Sequence, residues 1–370
     1  MQKILFILGT RPEVIKMAPV VKIFQASTQV TTLVYTSGQH TDLVEQALLA
    51  MELKVDGRLE LKRVGNSLTE LTRKLNISIG RLVFQTKPDM IVVHGDTSTA
   101  LVAAIVARTQ NKRLAHVEAG LRTYELSAPY PEEANRQLIT RLADYHFAPT
   151  AGAKINLLSE KIASDKILVT GNTGIDSLEW AMAKNKSHKS TFTQSFGKQP
   201  DNIPLLLVTA HRRENQTSGI SELCAALCRL AEKCQLDIAY VAHPDPALRA
   251  QLEQGLGTSK VQLLDPLDYQ DFVWLMTRAK LILTDSGGIQ EEAPTLKVPV
   301  LLMREATERP EALKGGLEII GMNEENIVRR VQELISDEQL YHKMIPVSNP
   351  YGDGKAAGRI LDFVLRLNAV

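Results

Sequence analysis

The sequence has almost no net charge: 43 Lys and Arg stand against 42 Asp and Glu, a formal charge of +1. So balanced a chain lacks the bulk field of a general nucleic-acid binder, and any anion site in it has to be local. Long apolar runs are missing too. Stretches such as 100–107 are less than half of the roughly 18 residues a membrane span needs. The run Ile4–Leu8 falls short of a secretory h-region of about 7–15 residues. No membrane insertion is expected, and the chain reads as cytoplasmic. Cysteine is scarce. Cys224, Cys228 and Cys234 form no Cys-x-x-Cys pair, and their odd number argues against a disulfide framework. With Ile220, Leu223, Leu227 and Ala231 they follow helical spacing, which reads as a buried helix face. The eight histidines show no His-x-x-x-His pattern, so no metal site is expected. Neither a Walker A motif nor Gly-x-Gly-x-x-Gly occurs, which counts against a P-loop NTPase and a nicotinamide-dependent Rossmann enzyme.

What is present is enough apolar material for two cores: 370 residues, 44% hydrophobic and 23% charged. Short apolar runs alternate with amphipathic segments. Strands are expected over 3–8, 31–36, 90–94, 113–117 and 145–148, with helices over 12–26, 41–51, 67–85, 97–110 and 132–142. Pro12 suits a first helical turn, and Ser67-Leu-Thr-Glu70 is a capping box. A second series places strands over 205–208, 238–242, 261–264, 281–284 and 300–303 between helices over 220–234, 246–254, 268–278 and 288–296. The polar stretch 184–202 reads as a loop. Alternating strands and helices predict α/β architecture: two doubly wound Rossmann-like domains facing a cleft. The expected boundaries are 1–170, 171–354 and a C-terminal helix, 355–370, able to cross back to the first domain.

In such sheets ligands bind beyond the carboxyl ends of the strands, so residues just past each strand carry the interest. After the first strand stands Gly9-Thr-Arg-Pro-Glu-Val-Ile-Lys16. Arg11 opposes the helix dipole there unless an anion is bound, and Lys16 lies one turn on. After the third comes His94-Gly-Asp-Thr-Ser98, where Asp96 is either functional or an ordinary N-cap. After the fourth comes Glu118, which has no capping role to fill. Glu132 and Arg136 are spaced i, i+4, the spacing of an ordinary helical ion pair. Three carboxylates, Asp96, Glu118 and Glu132, thus converge on one domain and suit acid and base roles. In the second half His211 with two arginines reads as an anion grip, and Thr284-Asp-Ser-Gly-Gly288 before a helix reads as a phosphate cradle.

The segments GTRPE, HGDT, HVEAGLRT, PEEANR, HRREN, LTDSGGIQEEAP, TERPEA and NPYGDG resemble, in order and from Gly9 to Gly354, the non-hydrolysing UDP-N-acetylglucosamine 2-epimerases. The resemblance implies a glycosyltransferase-B fold, a homodimer, no cofactor, and conversion of UDP-N-acetylglucosamine to UDP-N-acetylmannosamine for cell-surface polysaccharide. It implies a diphosphate grip of Arg11, His211, Ser286, Gly287 and Gly288, with Phe272 near the uracil and Glu292 on the ribose. Lys16, Asp96, Glu118, Glu132, Arg136 and Arg309 match the sugar side, and Gln39, His40, Gln46, Arg212 and His243 a regulatory site. The chain departs from the family pattern at Gly65-Asn66, over 126–130 and over 240–246. The rival readings are a 2-epimerase of a related UDP-HexNAc sugar, a retaining UDP-sugar glycosyltransferase of the same fold, and a UDP-sugar sensor. The last would have no use for three carboxylates.

Overall fold

The computed structural model describes residues 1–38, 41–59, 61, 67–185, 203–210, 219–307, 309–314 and 316–367. The chain divides into two compact units, one of Met1–Trp180 with Tyr351–Val370 and one of Ala181–Pro350.

The first unit runs β1 (Gln2–Leu8), α1 (Arg11–Ala26), β2 (Val30–Thr36), α2 (Thr41–Ala50), β3 (Gly57–Arg58), α3 (Leu68–Thr86), β4 (Met90–His94) and α4 (Ser98–Thr109). It continues β5 (Arg113–Val117), α5 (Glu132–Leu142), β6 (Tyr145–Ala148), α6 (Ala151–Ser159), β7 (Ile167–Val169) and α7 (Thr173–Asn185), and α14 (Ala356–Arg366) returns to it from the end of the chain. Its sheet has the order β3-β2-β1-β4-β5-β6-β7 with every pairing parallel. Ile4–Leu8 and Met90–Val93 are wholly buried because helices cover both faces, α1 with α2 and α14, and α3 with α4 and α5. Ser67 caps α3 as the capping box predicts, accepting the Glu70 amide.

Two features differ from the sequence reading. The unit extends past residue 170 to Trp180, because α7 is anchored to α1: the Ser177 hydroxyl donates to the Ile15 carbonyl at 2.6 Å, and the Lys22 ammonium stands 3.9 Å over the Trp180 ring. The Asp176 carboxylate accepts the Ala356 and Ala357 amides and so caps α14, whose Phe363 meets Tyr145 and Phe147 edge-on. The reading also assigned nothing to α6, β7 and α7. β7 is three residues long and only partly buried, too short for a period to register.

The second unit comprises β8 (Leu205–Thr209), α8 (Gly219–Lys233), β9 (Asp237–Val241), α9 (Pro246–Leu256), β10 (Gln262–Leu264), α10 (Tyr269–Arg278), β11 (Leu281–Thr284), α11 (Gly287–Leu296), β12 (Val300–Leu302), β13 (Leu317–Ile319), α12 (Glu324–Ser336) and α13 (Glu338–Met344). Its sheet is likewise parallel, in the order β10-β9-β8-β11-β12-β13. β13, α12 and α13 also go beyond the sequence reading. α12 is carried by Ile327, Val328, Val331 and Leu334, all buried against α8 at helical spacing. The three cysteines are free thiols; Cys224 faces the core, and burial pushes it up to about 11. Most of the stretch 184–202 lies outside the described residues.

The first core holds an unusual pair. His116 on β5 and His146 on β6 are register partners, and both are buried. Burial holds both rings neutral, driving His116 down to about 3 and His146 to about 4, with the nearby Arg122 charge adding to both. As pH falls below the ordinary histidine value of about 6.5, the unfolded chain takes up protons that the folded chain refuses, so stability falls with pH. Neither ring nitrogen of His146 has a hydrogen-bond partner among the described residues. His146→Phe is therefore expected to lose less stability than wild type between about pH 7.5 and pH 5, by roughly 2 kcal/mol. Urea unfolding at the two pH values measures this; equal losses would contradict it.

Candidate active site

In both sheets the strand order reverses beside the first strand of the unit, between β1 and β4 and between β8 and β11. At such a switch point the turns beyond adjacent strands part and leave room for a ligand.

In the first unit the turn after β1 is Gly9-Thr10. A Cβ on Gly9 would stand 2.3 Å from the Thr99 hydroxyl and 3.1 Å from that of Ser37, so only glycine lets the turn approach α4 this closely. Thr10 is the N-cap of α1, but its side chain does not cap. Its hydroxyl donates to Glu13 at 2.8 Å, the Gly9 amide donates to the same carboxylate at 3.0 Å, and the Thr97 hydroxyl donates to its other oxygen at 2.9 Å. Burial pushes Glu13 up to about 7 against the pull of these donors.

The turn after β4 overturns the N-cap reading of Asp96. Thr97 is the N-cap of α4, its hydroxyl accepting the Ala100 amide at 3.1 Å, and Asp96 is thereby released from capping. Arg136 donates to the Asp96 carboxylate at 2.6 Å. Asn135 donates to the Asp96 carbonyl at 2.8 Å, and His116 Nε2 to that of Gly95 at 2.7 Å. Burial raises the Asp96 pKa; Arg136 opposes the rise, while Glu118 and Glu132 add to it. The i, i+4 pair expected of Glu132 and Arg136 is overturned. Arg136 turns instead to Asp96 and, at 3.4 Å, to Glu133, which the β4 turn and the first turn of α5 bring to it.

Glu118 follows β5 with φ +64°, a left-handed backbone that a non-glycine residue adopts at a cost of order 1 kcal/mol. Its carboxylate meets the Lys16 ammonium, Asn172 Nδ2 at 3.4 Å and His94 Nε2 at 3.7 Å. Lys16, Asp96, Glu118 and Arg136 are thus joined at the strand ends of one unit, with Glu132 half-buried at the start of α5 and acting on Asp96 through its field.

In the second unit the Thr209 and Thr284 hydroxyls meet at 2.7 Å across the switch point, and Thr284 accepts the Ser286 amide at 3.0 Å. Ser286 is the N-cap of α11, yet its hydroxyl does not cap the helix. A Cβ on Gly287 would stand 2.7 Å from the Arg309 guanidinium, whereas nothing among the described residues lies within 4 Å of one on Gly288. Arg309 donates to Glu291 at 2.7 Å, and Thr307 links to Gln290, which donates to the Ser286 carbonyl. The α11 N-terminus therefore offers amides and a hydroxyl beside a fixed guanidinium, an arrangement fitted to a phosphate. Arg309, matched above to the sugar side, sits against this cradle. The Tyr269 hydroxyl donates to Glu292 at 2.9 Å, and Phe272 is half-buried on the same helix, α10.

His211, Gln39, His40, Arg212 and Gly65-Asn66 lie outside the described residues. Gln46 is exposed on α2, and His243 is exposed after β9, its Nδ1 accepting the Asp245 amide. Among the described residues no group of three or more His, Cys, Asp or Glu side chains is placed to hold a metal ion, and no helix is long and apolar enough to cross a membrane. Sequence reasoning missed Glu13, Asn135, Asn172, His116 and Tyr269. Only Glu13 carried a local signal, the Thr10-x-x-Glu13 spacing of a capping box.

The UDP-N-acetylglucosamine 2-epimerase family model matches residues 22–365. The chain is 42% identical over 374 residues to a UDP-N-acetylglucosamine 2-epimerase of Campylobacter jejuni, covering 99% of this chain and 98% of that protein. It is similar to the crystal structure of the Neisseria meningitidis UDP-GlcNAc 2-epimerase bound to UDP-GlcNAc, with a TM-score of 0.93, 42% identity and coverage of 99% and 100% of the two chains. MurG of Acinetobacter baumannii, 14% identical with a TM-score of 0.61 over 99% of this chain and 100% of that one, shares the fold alone, the α/β glycosyltransferase-B class.

The two glycines of the cradle separate on substitution. Gly287→Ala displaces the Arg309 guanidinium, the far end of a flexible side chain, from its place beside Glu291 and is expected to lower stability by no more than about 1 kcal/mol. Gly288→Ala projects into open space and leaves stability unchanged or raises it by up to about 1 kcal/mol. Thermal unfolding of both variants reads the difference.

Proposed function

The chain belongs to the UDP-N-acetylglucosamine 2-epimerase family, and on that premise we propose that it interconverts UDP-N-acetylglucosamine and UDP-N-acetylmannosamine by inverting C2 of the sugar. The observation that carries this reading is the carboxylate set Asp96, Glu118 and Glu132, gathered with Lys16 and Arg136 beyond the strands of one unit.

The C2 hydrogen has no adjacent carbonyl, so its direct removal is beyond any side-chain base. Expulsion of UDP comes first. The C1–O bond breaks, its electron pair leaves with the diphosphate, and C1 becomes cation-like and acidifies C2–H. The Ser286 hydroxyl and the Gly287 and Gly288 amides are suited to receive the charge on the diphosphate, and Arg11 and His211 are assigned to it by resemblance alone. One carboxylate takes the C2 proton and a 2-acetamidoglucal forms. Protonation of C2 on the opposite face and return of UDP to C1 complete the inversion. Two acid–base groups are needed, and their environments differ in the way such roles require. Asp96 is biased by burial toward its protonated form, while Glu118 lies against an ammonium. The reaction so written needs no cofactor, and we place it in the cytoplasm, serving cell-surface polysaccharide synthesis.

A homodimer is part of the reading. Ile77 and Phe84, one heptad apart on α3, are 49% and 72% exposed. Ile105 on the adjoining α4 and Leu138 on α5 are exposed too, and these apolar side chains on three neighbouring helices support a partner surface there. Light scattering is expected to give twice the chain mass, and Phe84→Lys to shift the mass toward that of one chain.

Incubation with UDP-N-acetylglucosamine in D2O, followed by proton NMR, is expected to show a UDP-N-acetylmannosamine anomeric signal with deuterium at C2. Glu118→Gln lowers kcat by about 100-fold or more. Unchanged substrate with the wild-type protein sinks the proposed activity; near-normal turnover in the variant removes Glu118 from proton transfer.

A further inference from the structure

We propose that Glu13 is a positioning residue whose single buried carboxylate locks the Arg11 turn to the Asp96 turn, so that the leaving-group grip and the proton-transfer carboxylates hold one fixed spacing. This deepens the proposed activity and rests on it for its catalytic consequence, though not for the lock itself.

The geometry is asymmetric in a telling way. Glu13 Oε2 gathers the Gly9 amide and the Thr10 hydroxyl, the two groups immediately before Arg11. Glu13 Oε1 receives the Thr97 hydroxyl, from the residue immediately after Asp96 and 84 positions along the chain. A carboxylate serving only as a helix cap would engage its own first turn and stop there. Thr97 leaves little slack, because its hydroxyl also accepts the Ala100 amide and so carries the α4 N-terminus with it. Beside the lock, the turn at Gly9 passes so close to Thr99 that a Cβ there would stand 2.3 Å from its hydroxyl. Glu13 is 2% exposed, and water does not compete for its donors.

The lock matters because elimination breaks C1–O and C2–H in one substrate. A positioned anion grip and a positioned base help only if their spacing is held to within about 0.5 Å. Glu13→Gln keeps the size and one acceptor oxygen but replaces the other with a donor, so one side of the lock is lost.

The test is a double-mutant cycle of Glu13→Gln and Thr97→Val with Thr97→Ser as the conservative control, read by steady-state kinetics and by amide hydrogen exchange of the unliganded protein. Glu13→Gln and Thr97→Val are each expected to lower kcat about tenfold with KM changed less than about twofold. The double variant falls little further than Thr97→Val alone, because that substitution, besides removing the α4 cap, already breaks the Glu13 link. Thr97→Ser restores kcat. Exchange in Glu13→Gln rises together at residues 9–11 and 95–98. Additive losses, or exchange rising at residues 9–11 alone, overturn the lock and leave Glu13 a local cap. If wild-type protein does not epimerise but exchange rises in both turns, the proposed activity fails and the lock stands. If wild type epimerises and Glu13→Gln changes neither kcat nor exchange at 95–98, the lock fails and the activity stands.

Discussion

Thr97 caps α4, and that one hydrogen bond releases Asp96. Without it the aspartate at the end of β4 would answer the free amides of the helix, as Asp does at many helix starts. With Thr97 in the cap, the Asp96 carboxylate turns to Arg136, its carbonyl to Asn135, and the carbonyl before it to His116. α5 supplies the first two partners and β5 the third, so the turn is held by two elements.

The same unit shows how a buried charge is tolerated when every neighbour is chosen. Glu13 keeps three donors. Glu133 accepts the backbone amides of Thr123 and Tyr124 from the loop before α5, and Arg122 lies bidentate on Glu160 at 2.6 and 3.0 Å. Single members of such sets are costly to remove, because a buried polar or charged partner is left unsatisfied. Histidine is handled in the opposite manner, His116 and His146 being kept neutral by burial. Asp96 and Glu118 lie between these extremes, each held by a cation, Arg136 and Lys16, with burial raising the Asp96 pKa against that pull.

The second unit repeats the doubly wound order but solves a different problem. Its switch point carries hydroxyls, amides and one guanidinium, the last held by Glu291. Gly287 is explained by the protein itself, through the Arg309 side chain packed against it. Gly288 is not, since space opens in front of it among the described residues. A glycine that no neighbour requires, at the first turn of a helix whose N-cap hydroxyl does not cap, is consistent with a ligand that needs the backbone bare.

Much of this was legible in one dimension. Apolar runs of parallel-strand length, Ser67 and Glu70 at capping distance, and Gly-Gly before a helix are local patterns with local causes. They determined the α/β class, most element positions and the residues beyond each strand. The motif order from GTRPE to NPYGDG determined the family. What only the tertiary structure decided is which partner each charged residue takes. Arg136 leaves Glu132, four residues away, for Asp96, forty positions away, and Glu13 joins its own turn to Thr97. Sequence spacing ranks partners by helical neighbourhood, whereas the fold ranks them by which turns meet, and distant turns meet only once the sheet has brought their strand ends side by side.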